Sequence, residues 1–191
     1  IAGMDGKGIS LLRVWKAEND KFDMKLFNGG NYMRAMEQQA MSEIITKVLY
    51  PEDNHTDGKL LRLSQQYFLV SSTAQLILNE TKERGGDLAH LHEYVAVQIN
   101  DTHPTMIIPE LIRLLGKEGV DFDTAFAIAQ KTFAYTNHTV MKEAMETWSI
   151  ELISSLLPEV YAVIEKIDAR EALELATLPG MDEVVSETLV P

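Results

Sequence analysis

The segment YVAVQINDTHPTMIIPELIRLLGK, residues 94–117, decides the fold class. It opens with a short, β-branched apolar run over 94–99, which predicts a buried strand. A polar loop follows, and then apolar residues at helical spacing predict a helix over about 105–117. A strand that leads through a loop into a helix is the unit from which α/β domains are built.

Helical spacing of apolar residues recurs along the rest of the chain. It predicts helices over 31–50, 59–83, 122–134, 141–147 and 149–168, the last of them kinked or broken at Pro158. Another short apolar run, 9–15, predicts a second strand. About six helices with only two strands, too few for a stable parallel sheet, predict a helix-rich part of a larger α/β domain. We expect this part to span 1–168 and an acidic C-terminal tail to cover 169–191.

The composition excludes several classes of function. The 191 residues include 17 basic and 29 acidic side chains, a net charge of −12, which argues against nucleic acid or an anionic membrane as a partner. The chain has no cysteine, so thiolate metal sites and cysteine nucleophiles are excluded. It has no run of about 18 apolar residues that would predict a transmembrane helix. It opens at Ile1 in mid-pattern, which favours an internal piece of a longer protein.

The polar loop after the strand at 94–99 is the first candidate site. Ligands of α/β proteins bind beyond the carboxyl ends of strands, and Asn, Asp, Thr and His side chains offer donors and acceptors for sugar hydroxyls or another polar substrate. The alternative is that Asp101 or Thr102 only caps the following helix. Capping does not explain His103, which precedes Pro104.

The second candidate site is the stretch FAYTNHT, residues 133–139. Its alternative is a helix–helix corner in which Asn137 is a C-cap and Thr139 an N-cap. A third segment, 51–58, is a polar loop without an apolar residue to anchor it.

Other conspicuous residues favour structural roles. His103 and His138 lack the i, i+4 histidine pair or cysteine partner that is typical of zinc sites. Glu143 and Glu146 favour an exposed helix face over a glycosidase acid/base pair. We expect the methionine-rich helix faces and both tryptophans to lie in the core: Met33, Met36, Met41, Met141, Met145, Trp15 and Trp148.

Long contiguous stretches of the sequence resemble the α-1,4-glucan (glycogen and maltodextrin) phosphorylases. The two candidate loops lie in the longest of them, VQINDTHPTMIIPELIRLL (97–115) and KTFAYTNHTVMKEAMETW (131–148). Shorter matches keep the family's order upstream: LLRVWKA (11–17), FNGGNY (27–32), VLYPEDN (48–54) and GKLLRLSQQYF (58–68). The resemblance covers roughly 9–168.

The resemblance implies a reaction and a fold. Inorganic phosphate takes the terminal glucosyl unit of an α-1,4-glucan and gives α-glucose 1-phosphate with retained configuration. The active site lies between two Rossmann-like lobes of the GT-B type, and this chain resembles the inner part of the N-terminal lobe. The cofactor, pyridoxal phosphate, is held by the other lobe, so no cofactor-binding residue is expected in this chain. The resemblance also implies a cytoplasmic homodimer as the parent enzyme.

The resemblance assigns roles to residues of the three loops. His138 matches the histidine whose side chain binds the glucosyl 6-hydroxyl and whose carbonyl faces the anomeric carbon. The same motif contains Thr136 and Asn137, and the cleft wall contains Asp101 and His103. A mobile loop that covers the cleft and contacts the sugar is matched by Asp53 and Asn54.

Departures from the family limit what this chain is expected to do. Asn79 and Glu80 stand where animal enzymes have two arginines that bind AMP, so we expect no AMP activation through this site. The Schiff-base lysine and the whole C-terminal lobe have no counterpart, so the chain alone is expected to be inactive.

The alternative function is a non-catalytic carbohydrate-binding or regulatory module. A third alternative, an all-helical interaction domain, rests only on the helix count. An apolar face left open where sheet partners are missing is expected to favour self-association.

Overall fold

The computed structural model describes residues 5–19, 21–138, 140–141 and 145–179. The chain divides into two compact units, Ile1–Gln65 and Gln66–Pro191, and one long helix contributes to both. The described residues form seven α-helices, one 3-10 helix and two strands, which confirms the helix-rich α/β class with few strands. None of these helices is both long and apolar enough to cross a membrane.

The first unit is helical. It consists of α1 (Met24–Asn28), α2 (Tyr32–Lys47) and the beginning of α3 (Thr56–Glu83). The Phe27 ring meets the Tyr32 ring edge to face, with 4.8 Å between centroids, and this contact joins α1 to α2. The predicted helices at 31–50 and 59–83 correspond to α2 and α3 and are confirmed with small changes of boundary. Helix α1 was not predicted.

The strand predicted over 9–15 is wrong. Ile9 forms an isolated bridge, and the following residues up to 19 have no regular structure. Leu11, Leu12 and Val14 are 70%, 80% and 84% exposed. A strand is stable only when it is paired in a sheet, and among the described residues no ladder extends this bridge. Local β propensity therefore does not decide this segment.

The prediction that the methionine-rich faces are buried is also wrong. The five methionines are between 43% and 74% exposed: Met33, Met36, Met41, Met141 and Met145. Helix α2 buries only the small side chain of Ala35. Trp15 and Trp148 are partly buried rather than in the core. Helical spacing identifies a common face, but only contacts with other elements decide whether that face is covered.

The second unit contains the sheet and the main core. After α3 its elements are a 3-10 helix (Leu88–Glu93), β1 (Val97–Asn100), α4 (Ile107–Lys117), α5 (Phe122–Thr132), β2 (Phe133–Thr136), α6 (Ile150–Leu156) and α7 (Pro158–Leu175). One apolar cluster joins the end of α3, the 3-10 helix, α4 and α5, and its Leu91, Leu115 and Ala125 are fully buried. The 3-10 helix lies in a segment whose polar sequence did not predict it.

The α4–α5 connection follows from local sequence. Gly119, at φ 91°, lies in the left-handed region that favours glycine. Its amide donates to the Gly116 carbonyl (3.1 Å), and the Val120 amide donates to the Leu115 carbonyl (3.0 Å), which together satisfy the last carbonyls of α4. Asp121 then caps α5 by accepting from the Thr124 amide at 3.0 Å.

The two strands of the sheet are parallel. Val97 pairs with Phe133 and Asn100 pairs with Thr136, and α4 and α5 form the crossover between the strands. The predicted strand at 94–99 is confirmed with its range shifted to β1. The helix predicted over 122–134 ends at Thr132 instead, because the next four residues leave the helix to pair with β1. Strand β2 therefore depends on a partner distant in sequence.

The C-terminal helices are partly as predicted. A break at Pro158 is confirmed, because α6 ends at Leu156 and Pro158 opens α7 at a position where its missing amide is harmless. The helix predicted over 141–147 is wrong for residues 141 and 145–147, which are not helical, and 142–144 lie outside the described residues. The boundary at 168/169 stays a prediction, and α7 continues through it to Leu175.

Candidate functional site

The two predicted loops come together at one end of the sheet. Because β1 and β2 are parallel, both chains leave the sheet at the same edge. The Asp101 amide donates to the Thr136 carbonyl, with 2.9 Å between N and O, and so extends the ladder beyond β1. We call the residues that follow the two strands, 100–103 and 136–138, the strand-end site.

The backbone at the start of the strand-end site is unusual. Asp101 has φ 64°, in the left-handed region where residues other than glycine are uncommon. Its Oδ1 accepts a hydrogen bond from the Thr102 amide at 2.8 Å, which supports the sharp turn. Such conformations are concentrated at functional sites, where surrounding contacts hold them.

The capping roles proposed for Asp101, Thr102 and Asn137 are wrong. The N-cap position of α4 is Met106, which makes no side-chain capping bond, so Asp101 and Thr102 do not cap this helix. Asn137 follows a strand rather than a helix, so the helix–helix corner is wrong. Thr139 lies outside the described residues. Helix capping therefore does not account for Asp101, Thr102 or Asn137.

Side-chain contacts connect the two strands at the strand-end site and the residues that follow them. Gln98 Nε2 donates to Thr136 Oγ1 at 2.8 Å across the strand pair. Two residues further along each chain, His138 Nε2 lies 3.4 Å from Asn100 Oδ1. Asn137 and His138 are exposed, whereas Asp101 and His103 are half-buried. The structure thus gathers five of the predicted site residues around one sheet edge.

A buried ionic cluster, which sequence reasoning missed, anchors α4, the helix that follows the first loop of this site. Glu110 is fully buried and binds Arg113 through two hydrogen bonds, at 2.7 and 2.8 Å. Its carboxylate also accepts from Ser71 Oγ at 2.6 Å and Tyr67 Oη at 3.2 Å, both on α3. The available signal was a charged pair three residues apart on an otherwise apolar helix face.

Electrostatics within this cluster are shaped by burial and by the carboxylate. The hydrogen bond to Glu110 raises the pKa of Arg113, so its guanidinium stays charged. Burial raises the pKa of Tyr67, and the negative charge of Glu110 raises it further. Arg113 also contacts the exposed Glu159 of α7 at 2.8 Å. The cluster therefore ties α3, α4 and α7 together and is structural.

The remaining predicted site residues, Asp53 and Asn54, belong to the first unit. They lie in the segment before α3. Arg62 Nη1 contacts Asp53 Oδ2 at 3.0 Å, and Asn54 Nδ2 lies 3.4 Å from Glu52 Oε2. Helix α3 begins at Thr56, inside the loop predicted over 51–58, because the Gly58 amide donates to His55 Nδ1 at 3.0 Å in a capping arrangement.

The described residues do not fit the cofactor that the resemblance implies. A Schiff-base lysine must be desolvated to act as a neutral amine, and every lysine that the structure describes is exposed. Within the same residues no group of three histidine or acidic side chains is placed to hold a metal ion. Glu143 lies outside the described range, and Glu146 is half-buried and accepts from Gln66 Nε2 at 2.8 Å, so it does not lie on an exposed helix face.

Comparison with known proteins places these features in context. The chain matches the family model of carbohydrate phosphorylases over residues 1–190. It is 46% identical over 172 residues to glycogen phosphorylase 2 of Dictyostelium discoideum, which covers 89% of this chain and 17% of that protein. It is 47% identical over 186 residues to the alpha-1,4 glucan phosphorylase L-1 isozyme of Solanum tuberosum, covering 94% and 19%. It is 49% identical over 130 residues to the maltodextrin phosphorylase of Streptococcus pneumoniae, covering 68% and 17%. The chain thus spans less than a quarter of the length of these relatives.

Proposed function

The chain belongs to the carbohydrate phosphorylase family, and we propose that it is part of an α-1,4-glucan phosphorylase in which the strand-end site forms the glucosyl-binding wall. The observation that supports this most directly is the hydrogen bond between the Asp101 amide and the Thr136 carbonyl. It brings the two polar loops to one edge of a parallel sheet, where α/β proteins bind their ligands.

The proposed reaction is phosphorolysis of the terminal glycosidic bond. A phosphate oxygen forms a bond to the anomeric carbon, the bond from that carbon to the O4 atom of the next sugar breaks, and this O4 atom takes up a proton that balances the one lost by the attacking hydrogen phosphate. The products are α-glucose 1-phosphate and a glucan shorter by one unit. The His138 side chain binds the 6-hydroxyl of the reacting glucosyl unit. Its backbone carbonyl faces the anomeric carbon, where a fixed dipole stabilises developing positive charge.

The other site residues have supporting roles in this proposal. Thr136 and Asn137 hold the loop that carries His138, and Asp101 and His103 form the adjoining part of the wall. Asp53 and Asn54 cover the bound sugar, as loops do that exclude water during reaction. These assignments rest on the family motif and on the polar character of the residues.

Catalysis requires residues beyond this chain. Pyridoxal phosphate supplies acid–base chemistry through its phosphate group in the family, and we assign it no step on this chain because the described lysines are all exposed. A phosphate site also needs several converging basic residues. We therefore propose that the isolated chain is inactive and that the parent enzyme has a second lobe. From the family resemblance we also propose that the parent enzyme is a cytoplasmic homodimer.

One regulatory feature completes the proposal. Glu80 contacts Arg84 at 3.4 Å on α3, and a carboxylate at this position repels the phosphate of AMP, so the parent is not activated by AMP through Asn79 and Glu80. Measured AMP activation in the parent that is lost when these two residues are changed would refute this.

Sugar binding can be tested on the chain itself by amide chemical shifts. We expect maltoheptaose to shift resonances of 100–103 and 136–138, and cellohexaose, its β-linked counterpart, to leave them unchanged. His138→Ala should weaken the maltoheptaose shifts, whereas Glu165→Ala, an exposed change on α7, should not. Absence of shifts at both loops up to about 10 mM glucan would contradict the proposal.

An activity assay and a binding measurement distinguish the proposed function from the alternative, a non-catalytic carbohydrate-binding module. We expect no α-glucose 1-phosphate when the chain is incubated with maltoheptaose, phosphate and pyridoxal phosphate. Turnover by the chain alone would disprove the requirement for a second lobe. Submillimolar affinity for maltoheptaose, measured by calorimetry, would instead favour a carbohydrate-binding module, since a single wall of a cleft lacks the enclosing contacts for tight binding.

A further inference from the structure

Asn100 is the last residue of β1 and has no assigned role in the glucosyl-binding wall. It pairs with Thr136 in the sheet, and Ile99 before it is 2% exposed, so alternate side chains point to opposite faces. Asn100 and Gln98 therefore share the exposed face of the strand. On this face Asn100 Oδ1 lies 3.4 Å from His138 Nε2.

This contact bears on which nitrogen of the imidazole carries the proton. An amide oxygen has lone pairs and no hydrogen, so it accepts only if His138 Nε2 is the donor. In a neutral imidazole the other nitrogen, Nδ1, then has a free lone pair. Nδ1 accepts a hydrogen bond from a hydroxyl group, whereas the opposite tautomer would present a donor at the same position.

We infer that Asn100 is a positioning residue that holds His138 as the Nε2–H tautomer, with Nδ1 presented as an acceptor to the 6-hydroxyl of a glucosyl unit. The inference rests on the proposed function for its ligand, but the contact between the two side chains does not. Partners of this kind commonly fix the tautomer and orientation of functional histidines. One neutral hydrogen bond biases a tautomer ratio by about fivefold.

The cross-strand pair Gln98–Thr136 provides a matched control. Gln98 lies on the same strand and the same face as Asn100, is also exposed, and also makes one hydrogen bond across the sheet, at 2.8 Å. Its amide does not contact His138 in the described hydrogen bonds. Replacing it removes a similar polar contact from the same surface but leaves the acceptor for His138 in place.

The test reads the tautomer directly by nuclear magnetic resonance. Long-range proton–nitrogen correlation spectra of the full chain are recorded at mildly alkaline pH, and His138 is assigned from the signal that His138→Gln removes. We expect the Nε2–H tautomer in the unmodified chain. Asn100→Leu and Asn100→Ala should shift the ratio toward Nδ1–H by about fivefold. Asn100→Asp, which keeps an acceptor, should retain Nε2–H, and so should Gln98→Leu.

The outcomes separate this inference from the proposed function. A tautomer ratio unchanged by both Asn100→Leu and Asn100→Ala, in variants with otherwise preserved spectra, would overturn it, as would an Nδ1–H form in the unmodified chain. If the tautomer responds but maltoheptaose causes no shift at the strand-end site, the inference holds and the proposed function fails. If the tautomer responds but maltoheptaose binds equally well to every variant, the proposed function holds and the inferred role of the Nδ1 acceptor toward the 6-hydroxyl is overturned.

Discussion

The Asp101 amide donates a hydrogen bond to the Thr136 carbonyl while Asp101 itself has φ 64°. The same residue therefore extends the parallel ladder and turns the chain out of the sheet. Its Oδ1 accepts from the next amide, that of Thr102, which compensates for part of the cost of the left-handed backbone. The pairing of β1 and β2 brings the two loops together, and Asp101 continues that pairing by one more hydrogen bond.

Substitutions at Asp101 should separate backbone conformation from charge. A β-branched residue is strained in the left-handed region, so Asp101→Val should lower the free energy of unfolding by about 1–2 kcal/mol. Asp101→Gly and Asp101→Asn should remain within about 0.5 kcal/mol of the unmodified chain, because both tolerate this region. Urea unfolding measures these differences. Equal stability of the valine and glycine variants would show that the backbone relaxes elsewhere.

Removing one partner of the buried ion pair should be strongly destabilising. Glu110→Ala leaves the guanidinium of Arg113, whose side chain is 12% exposed, without its buried carboxylate. We expect a loss of about 3 kcal/mol in the free energy of unfolding. The double variant Glu110→Leu/Arg113→Leu should lose less than Glu110→Ala, since no buried charge is left unpaired. A double variant that is less stable than the single one would contradict this account.

Acid should weaken the cap of α5. The hydrogen bond to the Thr124 hydroxyl, together with that to the Thr124 amide, lowers the pKa of Asp121 below its ordinary range. Because the pKa of Asp121 is lower in the folded state, the stabilisation that its ionised carboxylate gives to the cap is complete above the unfolded pKa of about 3.9. This stabilisation is lost as pH falls through the folded pKa.

Asp121→Asn provides the comparison for that prediction. Asparagine is also a good N-cap, but it does not titrate. The difference in unfolding midpoint between the unmodified chain and Asp121→Asn should therefore be constant near neutrality and should shift against the unmodified chain below about pH 4. Parallel pH profiles down to pH 2.5 would exclude a role for this carboxylate in acid sensitivity.

Two glycines should respond to alanine in opposite directions. A Cβ atom at Gly58 would lie 1.9 Å from the Glu52 carbonyl oxygen, so Gly58→Ala must displace the segment before α3. A Cβ atom at Gly116, within α4, meets no atom within 4 Å apart from its chain neighbours and the backbone of its own helix. Gly116→Ala should raise the free energy of unfolding by about 0.5–1 kcal/mol through helix propensity, while Gly58→Ala should lower it. Thermal unfolding with both variants checks the pair, and stabilisation by Gly58→Ala would contradict the packing described for this segment.

Local sequence was a good guide wherever neighbouring residues decide the structure. The end of α3 at Gly85-Gly86 and the break at Pro158 follow from backbone chemistry, and the amphipathic pattern of α4 predicted its buried face. The strand predicted at 9–15 and the buried methionines failed for one shared reason. Both predictions assumed a covering element that the described residues do not supply.

The sequence by itself determined most helices of this protein, the polar character of its two loops and, through long shared motifs, its family. Only the tertiary structure decided that Phe133–Thr136 is a strand and that it lies parallel to Val97–Asn100. The physical reason is that strand pairing is a contact between residues more than thirty positions apart, whose free energy no local pattern contains. The same pairing brings Asn100 beside His138, and so converts two separate loops into one candidate site.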